Sequence, residues 1–135
     1  MRRVLVVDDQ ACVRELVKQV LEVWEDDQVE VETAEDGVEA LHVLGTRTFD
    51  LVVCDIAMPH LNGVDLLGKV RQMQYHHDLP ILMLTGLGDE VTIAKVIAKG
   101  ATAFLTKPFN VKDLLDALST CADWDLRHHP LRMVS

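Results

Sequence analysis

Leu51-Val52-Val53-Cys54-Asp55 runs four apolar residues without a break into a carboxylate, with Phe49 and Asp50 just before it. Strict alternation would mark a strand with one wet face. An unbroken run, punctuated afterwards by Pro59 and Asn62-Gly63, predicts a central parallel strand covered on both faces. The pattern recurs three times: Val4 to Val7 leads into Asp8-Asp9, Ile81 to Leu84 into Thr85, and Ala103 to Thr106 into Lys107-Pro108. Three carboxylates, a hydroxyl and an ammonium therefore close four apolar runs. If these strands share one parallel sheet, all five groups open onto the edge where open α/β folds place their ligands.

Between the runs lie segments with helical spacing. Val13, Leu16, Val17, Val20, Leu21 and Trp24 follow an i, i+3, i+4, i+7 pattern. A second helix is predicted through Val38, Leu41 and Leu44, stopping near Gly45, and a third through Val64, Leu67 and Val70. Pro80 opens the Ile81 strand, Gly86 and Gly88 loosen the backbone after it, and a fourth helix runs from Asp89 to Lys99 and ends at Gly100. Asn110 is a suitable N-cap for a last helix with Val111, Leu114, Leu115 and Leu118 on its buried stripe. Val29-Glu30-Val31-Glu32-Thr33 alternates apolar and polar residues, as an edge strand would. Five strands alternating with five helices imply an α/β domain with a five-stranded parallel sheet, since parallel neighbours need helical crossovers and these are right-handed. The order 2-1-3-4-5 sets the polar second strand at an edge and the first beside the third, so that Asp8, Asp9 and Asp55 converge.

The 135 residues suit one domain. A hydrophobic fraction of 49% with 26% charged residues is ordinary globular composition, and no apolar stretch approaches the ~20 residues of a membrane span. Met1-Arg2-Arg3 with its short apolar run, ended by two acids, does not read as a signal peptide. Cys12, Cys54 and Cys121 are odd in number and lack CxxC spacing, which argues against a disulfide framework or zinc site and for the reducing cytoplasm. A net charge of -9 argues against direct contact with nucleic acid, which needs a basic footprint.

Three carboxylates in one crevice repel each other, each pair by about 1 kcal/mol at ~4 Å in water and about 4 kcal/mol at an effective dielectric of about 20. The cluster needs a cation. All-oxygen ligation by few protein groups suits Mg²⁺, with the backbone carbonyl of Ala57 as a further donor. A carboxylate beside such an ion can attack phosphorus, so Asp55 is read as the nucleophile. Lys107 supplies fixed positive charge, and Thr85 a hydroxyl that follows a phosphoryl oxygen.

The Asp8-Asp9 pair, Asp55 in V-C-D-I-A-M-P, Thr85 in L-T-G and Lys107 in T-K-P-F together resemble the receiver domain of two-component response regulators, over about residues 3 to 122. The resemblance implies a flavodoxin-like, doubly wound (βα)5 fold. It implies phosphoryl transfer to Asp55 from a phosphohistidine of a sensor histidine kinase or histidine phosphotransfer protein. Asp8, Asp9, Asp55 and the Ala57 carbonyl would hold Mg²⁺, Asp8 partly through water. Thr85 and Phe104 would be the switch pair: phosphorylation draws the hydroxyl inward, the ring follows, and the surface of the fourth helix, fifth strand and fifth helix is reshaped. A downstream effector, a fused output domain or a homodimer would read that surface. The family usually has a cis peptide at the position of Lys107-Pro108. Gly86 stands where Ala or Ser is common, which is expected to widen access to the phosphoryl group. Ala57 and Leu87 carry no group able to orient water, so slow self-dephosphorylation is expected.

The plainer readings concern single residues. Asp8-Asp9 alone would serve as a helix cap, Phe104 and Cys54 as core, and His76-His77 and His128-His129 as surface loops. The receiver domain is expected over 1–122, with 123–135 as a helix end and tail or a linker. A Mg²⁺-dependent phosphohydrolase of the haloacid-dehalogenase type is the alternative, yet it would want a second acid at position 57, which is Ala. A nucleotide-binding module ranks last, because no Gly-rich loop follows the first strand.

Overall fold

A computed structural model of the chain describes residues 2–25, 29–58, 60–74, 76–86 and 90–122. Pro59, Leu87, Gly88, Asp89, the Trp24 side chain and the segment from Asp123, with Trp124 and His128-His129, lie outside the described residues. The elements alternate strictly: β1 (Arg2–Val7), α1 (Ala11–Glu25), β2 (Val29–Ala34), α2 (Gly37–Thr46), β3 (Leu51–Asp55), α3 (Gly63–Arg71), β4 (Ile81–Thr85), α4 (Glu90–Ala98), β5 (Ala103–Thr106) and α5 (Val111–Ala122). All strand pairs are parallel, in the order β2-β1-β3-β4-β5. This is the doubly wound, flavodoxin-like arrangement that the sequence predicts.

The unbroken apolar runs are what a sheet covered on both faces requires. Every residue of β3 and β4 is buried. Period two sorts their side chains into two layers. Val4, Val6, Leu51, Val53, Leu82 and Leu84 pack beneath α1 and α5. Leu5, Val7, Val52, Cys54, Ile81 and Met83 pack beneath α2, α3 and α4. At about 25 cal/mol per Å² of apolar surface removed from water, these layers are the main favourable contribution to the fold. Among the described residues, no helix is long and apolar enough to cross a membrane.

The second helix stops near Gly45 as expected, whereas the buried stripes and His76 need correction. The second helix runs through Gly45 to Thr46, where the Arg47 N–H caps the Val43 carbonyl; nothing lies within 4 Å of a Cβ built on Gly45, so this glycine serves no close approach. Val111, expected on a buried stripe, is 41% exposed, and Val38 and Leu16, which share the helical apolar spacing, are 58% and 37% exposed. The covered stripe of each helix is narrower than its apolar spacing because a single sheet face receives it. His76, read as a surface residue, is buried, and its Nε2 lies 2.9 Å from the Leu44 carbonyl. That partner is 32 residues away, which no local pattern displays.

Candidate functional site

The β1–β3 pairing sets Val7 opposite Cys54, so the next residues, Asp8 and Asp55, leave adjacent strand ends together. The Asp8 N–H extends the ladder to the Ala34 carbonyl at 3.2 Å, and the Ile56 N–H does the same to Leu84 at 3.0 Å. Asp8 is fully buried, Asp55 nearly so, and Asp9 is exposed. One carboxylate oxygen from each lies within 4.8 Å of the others. The three predicted acids therefore do converge.

Lys107 reaches the same point from β5, where its N–H bonds the Thr85 carbonyl at 2.7 Å. Its Nζ donates to Asp8 Oδ2 at 2.9 Å and lies 3.5 Å from Asp55 Oδ1. The Lys107-Pro108 peptide is cis. Burial works against this ammonium, but the Asp8 hydrogen bond and the charges of Asp55 and Asp8 together outweigh it and push its pKa above the ordinary lysine value. The Asp55 pKa also rises, which pushes this carboxylate toward its neutral form. Burial first and the Asp8 charge second raise its pKa to about 6, against the smaller pull of Lys107 and of the Ala57 N–H. One lysine does not neutralise the cluster. An all-oxygen donor set with uncompensated negative charge fits a hard divalent cation such as Mg²⁺, and neither His nor Cys stands in the group to favour a softer metal.

The loop after Asp55 is held down tightly. Gly63 opens α3 so close to the strand end that a Cβ there would meet the Asp55 carbonyl oxygen at 2.4 Å, and its N–H donates to Ile56 at 2.8 Å. Asn62 caps the helix by accepting from the Asp65 N–H at 2.9 Å. What reads in sequence as loop punctuation is thus the start of a helix packed against the site. Ala57 is exposed, and its N–H lies 3.4 Å from Asp55 Oδ1. His60 in this loop has φ +69°, the left-handed region.

Thr85 is buried at the end of β4, and its hydroxyl donates to the Gly86 carbonyl at 3.2 Å. Phe104 on β5 is 41% exposed, so its ring stands outward rather than in the core. Cys54 is buried beside Asp55; burial first, then the Asp55 charge, push its thiol far above the ordinary range, so it is a core residue and no nucleophile.

Two polar residues of the site carry no sequence signal of their own. Arg14, one turn into α1, donates from Nη1 to the Asp8 carbonyl at 2.6 Å. Gln10 accepts from Lys107 Nζ at 3.4 Å through Oε1, while its N–H donates to Asp8 Oδ1 at 2.9 Å. Both lie in the polar segment after the Asp pair, where a capping role is the default reading.

Residues 4–119 match the response regulator receiver domain family. Chemotaxis protein CheY of Halobacterium salinarum is 34% identical over 119 residues, which cover 87% of this chain and 94% of that protein. A transcriptional regulatory protein CpxR homolog of Haemophilus influenzae is 36% identical over 115 residues, 85% of this chain. The chain spans about half of that relative's length, 48%. Among solved structures, chemotaxis protein CheY4 of Vibrio cholerae superposes with a TM-score of 0.81 at 38% identity, covering 90% of this chain and 98% of that one. With the sheet order, the acidic cluster and these matches in agreement, the chain belongs to the response regulator receiver domains of two-component signalling.

Proposed function

We propose that this receiver domain accepts one phosphoryl group on Asp55 from a phosphohistidine of a sensor histidine kinase or histidine phosphotransfer protein. The observation that carries the reading is the shared ammonium: Lys107 bridges two buried carboxylates from adjacent strand ends, Asp8 and Asp55. In the step, an Asp55 oxygen forms a bond to phosphorus, the P–N bond to imidazole breaks, and the leaving nitrogen keeps the electron pair and takes up a proton. Lys107 offsets charge on the phosphoryl oxygens, and the Thr85 hydroxyl turns from Gly86 to donate to one of them. Asp8, Asp9 and Asp55, with the Ala57 carbonyl, would hold Mg²⁺, which when bound supplies positive charge against both the carboxylates and the transferring group.

The output follows from α4, β5 and α5. Within α4, Val96 is the buried residue, so little packing holds the helix in place. Val91, Ile97, Phe104 and Val111 expose apolar surface on these three elements. Once Thr85 moves, the outward Phe104 ring has room to turn in, and the altered surface engages an effector, an attached output domain or a second copy. Residues 1–122 form the receiver and 123–135 its tail or linker, working in the cytoplasm as a switch that catalyses its own modification.

The test is incubation with acetyl phosphate and Mg²⁺, followed by intact mass and oligomeric state. Wild type gains one hydroxylamine-labile phosphoryl group and Asp55→Asn gains none. Equal labelling of Asp55→Asn, or steady turnover of a free phosphate ester without a stoichiometric label, overturns the assignment.

A further inference from the structure

Lys107 directly follows β5, three strands from β1, and carries its ammonium at the end of a flexible four-carbon stem. Its ammonium has three hydrogens, and three acceptors stand around it: Asp8 Oδ2 at 2.9 Å, Asp55 Oδ1 at 3.5 Å and Gln10 Oε1 at 3.4 Å. Two of these are carboxylates, and the proposed chemistry changes what each of them faces. The third is neutral. An amide oxygen orients an ammonium without neutralising it, so the full positive charge stays available to the phosphoryl oxygens.

The Gln10 backbone is independently fixed. Its N–H is held by Asp8 Oδ1, and its carbonyl accepts from the N–H groups of Val13 and Arg14 at 3.1 and 3.2 Å, which begins α1. These bonds survive any change of side chain, and the residue is exposed, with no packing duty in either core layer. What its side chain does is meet Lys107.

We infer that Gln10 is a positioning residue whose carboxamide oxygen aims the Lys107 ammonium at the phosphoryl group on Asp55. The inference rests on the phosphoacceptor reading given above. Lys107 serves both in-line displacements at phosphorus. On loading from acetyl phosphate, the Asp55 O–P bond forms as acetate leaves. On hydrolysis, a water oxygen bonds phosphorus, the Asp55 O–P bond breaks, phosphate departs and a proton passes to solvent. Removing a residue that acts through Lys107 therefore slows gain and loss alike, whereas removing one that handles the attacking water changes loss alone.

The decisive experiment measures both rates by intact mass at saturating Mg²⁺ and varied acetyl phosphate for wild type, Gln10→Met and Gln10→Glu. Gln10→Met, nearly isosteric but without the acceptor, lowers the maximal loading rate about three- to tenfold, as loss of one long hydrogen bond of ordinary strength should. The half-saturating donor concentration, the Mg²⁺ affinity by calorimetry and the urea midpoint stay at wild-type values, while hydrolysis slows by the same factor. Gln10→Glu, whose carboxylate holds the ammonium but neutralises it, loads no faster than Gln10→Met. Wild-type loading by Gln10→Met or by Gln10→Glu, or a change in hydrolysis alone, overturns the inference while leaving Asp55 as acceptor intact. A wild-type protein that takes no phosphoryl group on Asp55 defeats the underlying function instead, and with it this role.

Discussion

Where the strands begin, Arg71 donates through its guanidinium to the carbonyls of Gly100, His76 and Leu79 at 2.6–3.1 Å, and the His76 ring meets the Leu44 carbonyl. Where the strands end, Asp8 and Asp55 share a single lysine, and one of them is pushed toward its protonated form. Both edges bury polar groups, but they balance them differently. At the first edge a cation meets neutral dipoles whose lone pairs would otherwise lack donors. At the second, like charges are forced together and left short of a counter-ion. Polar burial can serve either stability or reactivity, and the sign of the residual electrostatics tells which.

The sharpest way to break this contrast is at the stable edge. Arg71→Ala removes all the guanidinium donors that join the end of α3 to the loops before β4 and β5, and should cost about 2–4 kcal/mol in urea unfolding. Arg71→Lys should recover less than half, because an ammonium cannot reproduce the planar fork. Phosphoryl uptake on Asp55 should persist in whatever fraction remains folded. A loss under about 1 kcal/mol would mean that water satisfies those carbonyls as well as Arg71 does.

At the reactive edge the same kind of deletion should have the opposite sign. Asp55→Asn removes a repelled charge, and in metal-free buffer near neutral pH should raise stability by about 2 kcal/mol. The sign follows from the shift from 3.8 to about 6. The folded state binds the proton more tightly than the unfolded chain, so the stability from this group is full below about 4 and lost as pH rises through about 6. The wild type minus Asn difference should therefore open across that window and stay flat above it. Millimolar Mg²⁺ should shrink it by stabilising the wild type. A variant less stable than wild type at every pH would contradict the account of the cluster.

The two edges also differ in how far the sequence displays them. The reactive edge is legible because its groups follow strands buried on both faces, and such strands announce themselves as continuous apolar runs; the next residue of each run is then fixed in place by the register. Nothing comparable marks the stable edge. Arg71 ends an ordinary amphipathic helix, and its partner at Gly100 lies 29 residues on. Adjacent His76 and His77 look alike in sequence, yet one is buried against Leu44 and the other is exposed. Even at the reactive edge, Gln10 and Arg14 escape notice because their partners are set by tertiary approach. Chain-local patterns carry strands and their terminal residues; side chains that reach across elements are decided by packing.

His76→Leu tests whether that long-range bond matters on its own. It keeps an apolar body of similar size but leaves the Leu44 carbonyl without its donor in a buried place, which should cost about 1–2 kcal/mol. The effect should be smaller than that of Arg71→Ala because one carbonyl is orphaned rather than three. An unfolding midpoint equal to wild type would show that the His76 ring is held by packing and that its hydrogen bond is incidental.

The smallest effect belongs to His60, in the loop that follows Asp55. Its φ of +69° costs a non-glycine residue about 1–2 kcal/mol relative to a right-handed conformation. His60→Gly removes that cost but gives the unfolded chain more freedom, which takes back about 0.4–1 kcal/mol. The net gain should be about 0.5 kcal/mol by urea unfolding. Because the loop is also pinned by Gly63 against the Asp55 carbonyl, the geometry of the carboxylate cluster should not change, and Mg²⁺ affinity should match wild type. A stability gain accompanied by weakened Mg²⁺ binding would instead mean that the left-handed residue holds the loop in shape for the ion. The strain at this edge would then be part of its reactivity rather than a local tolerance of the turn.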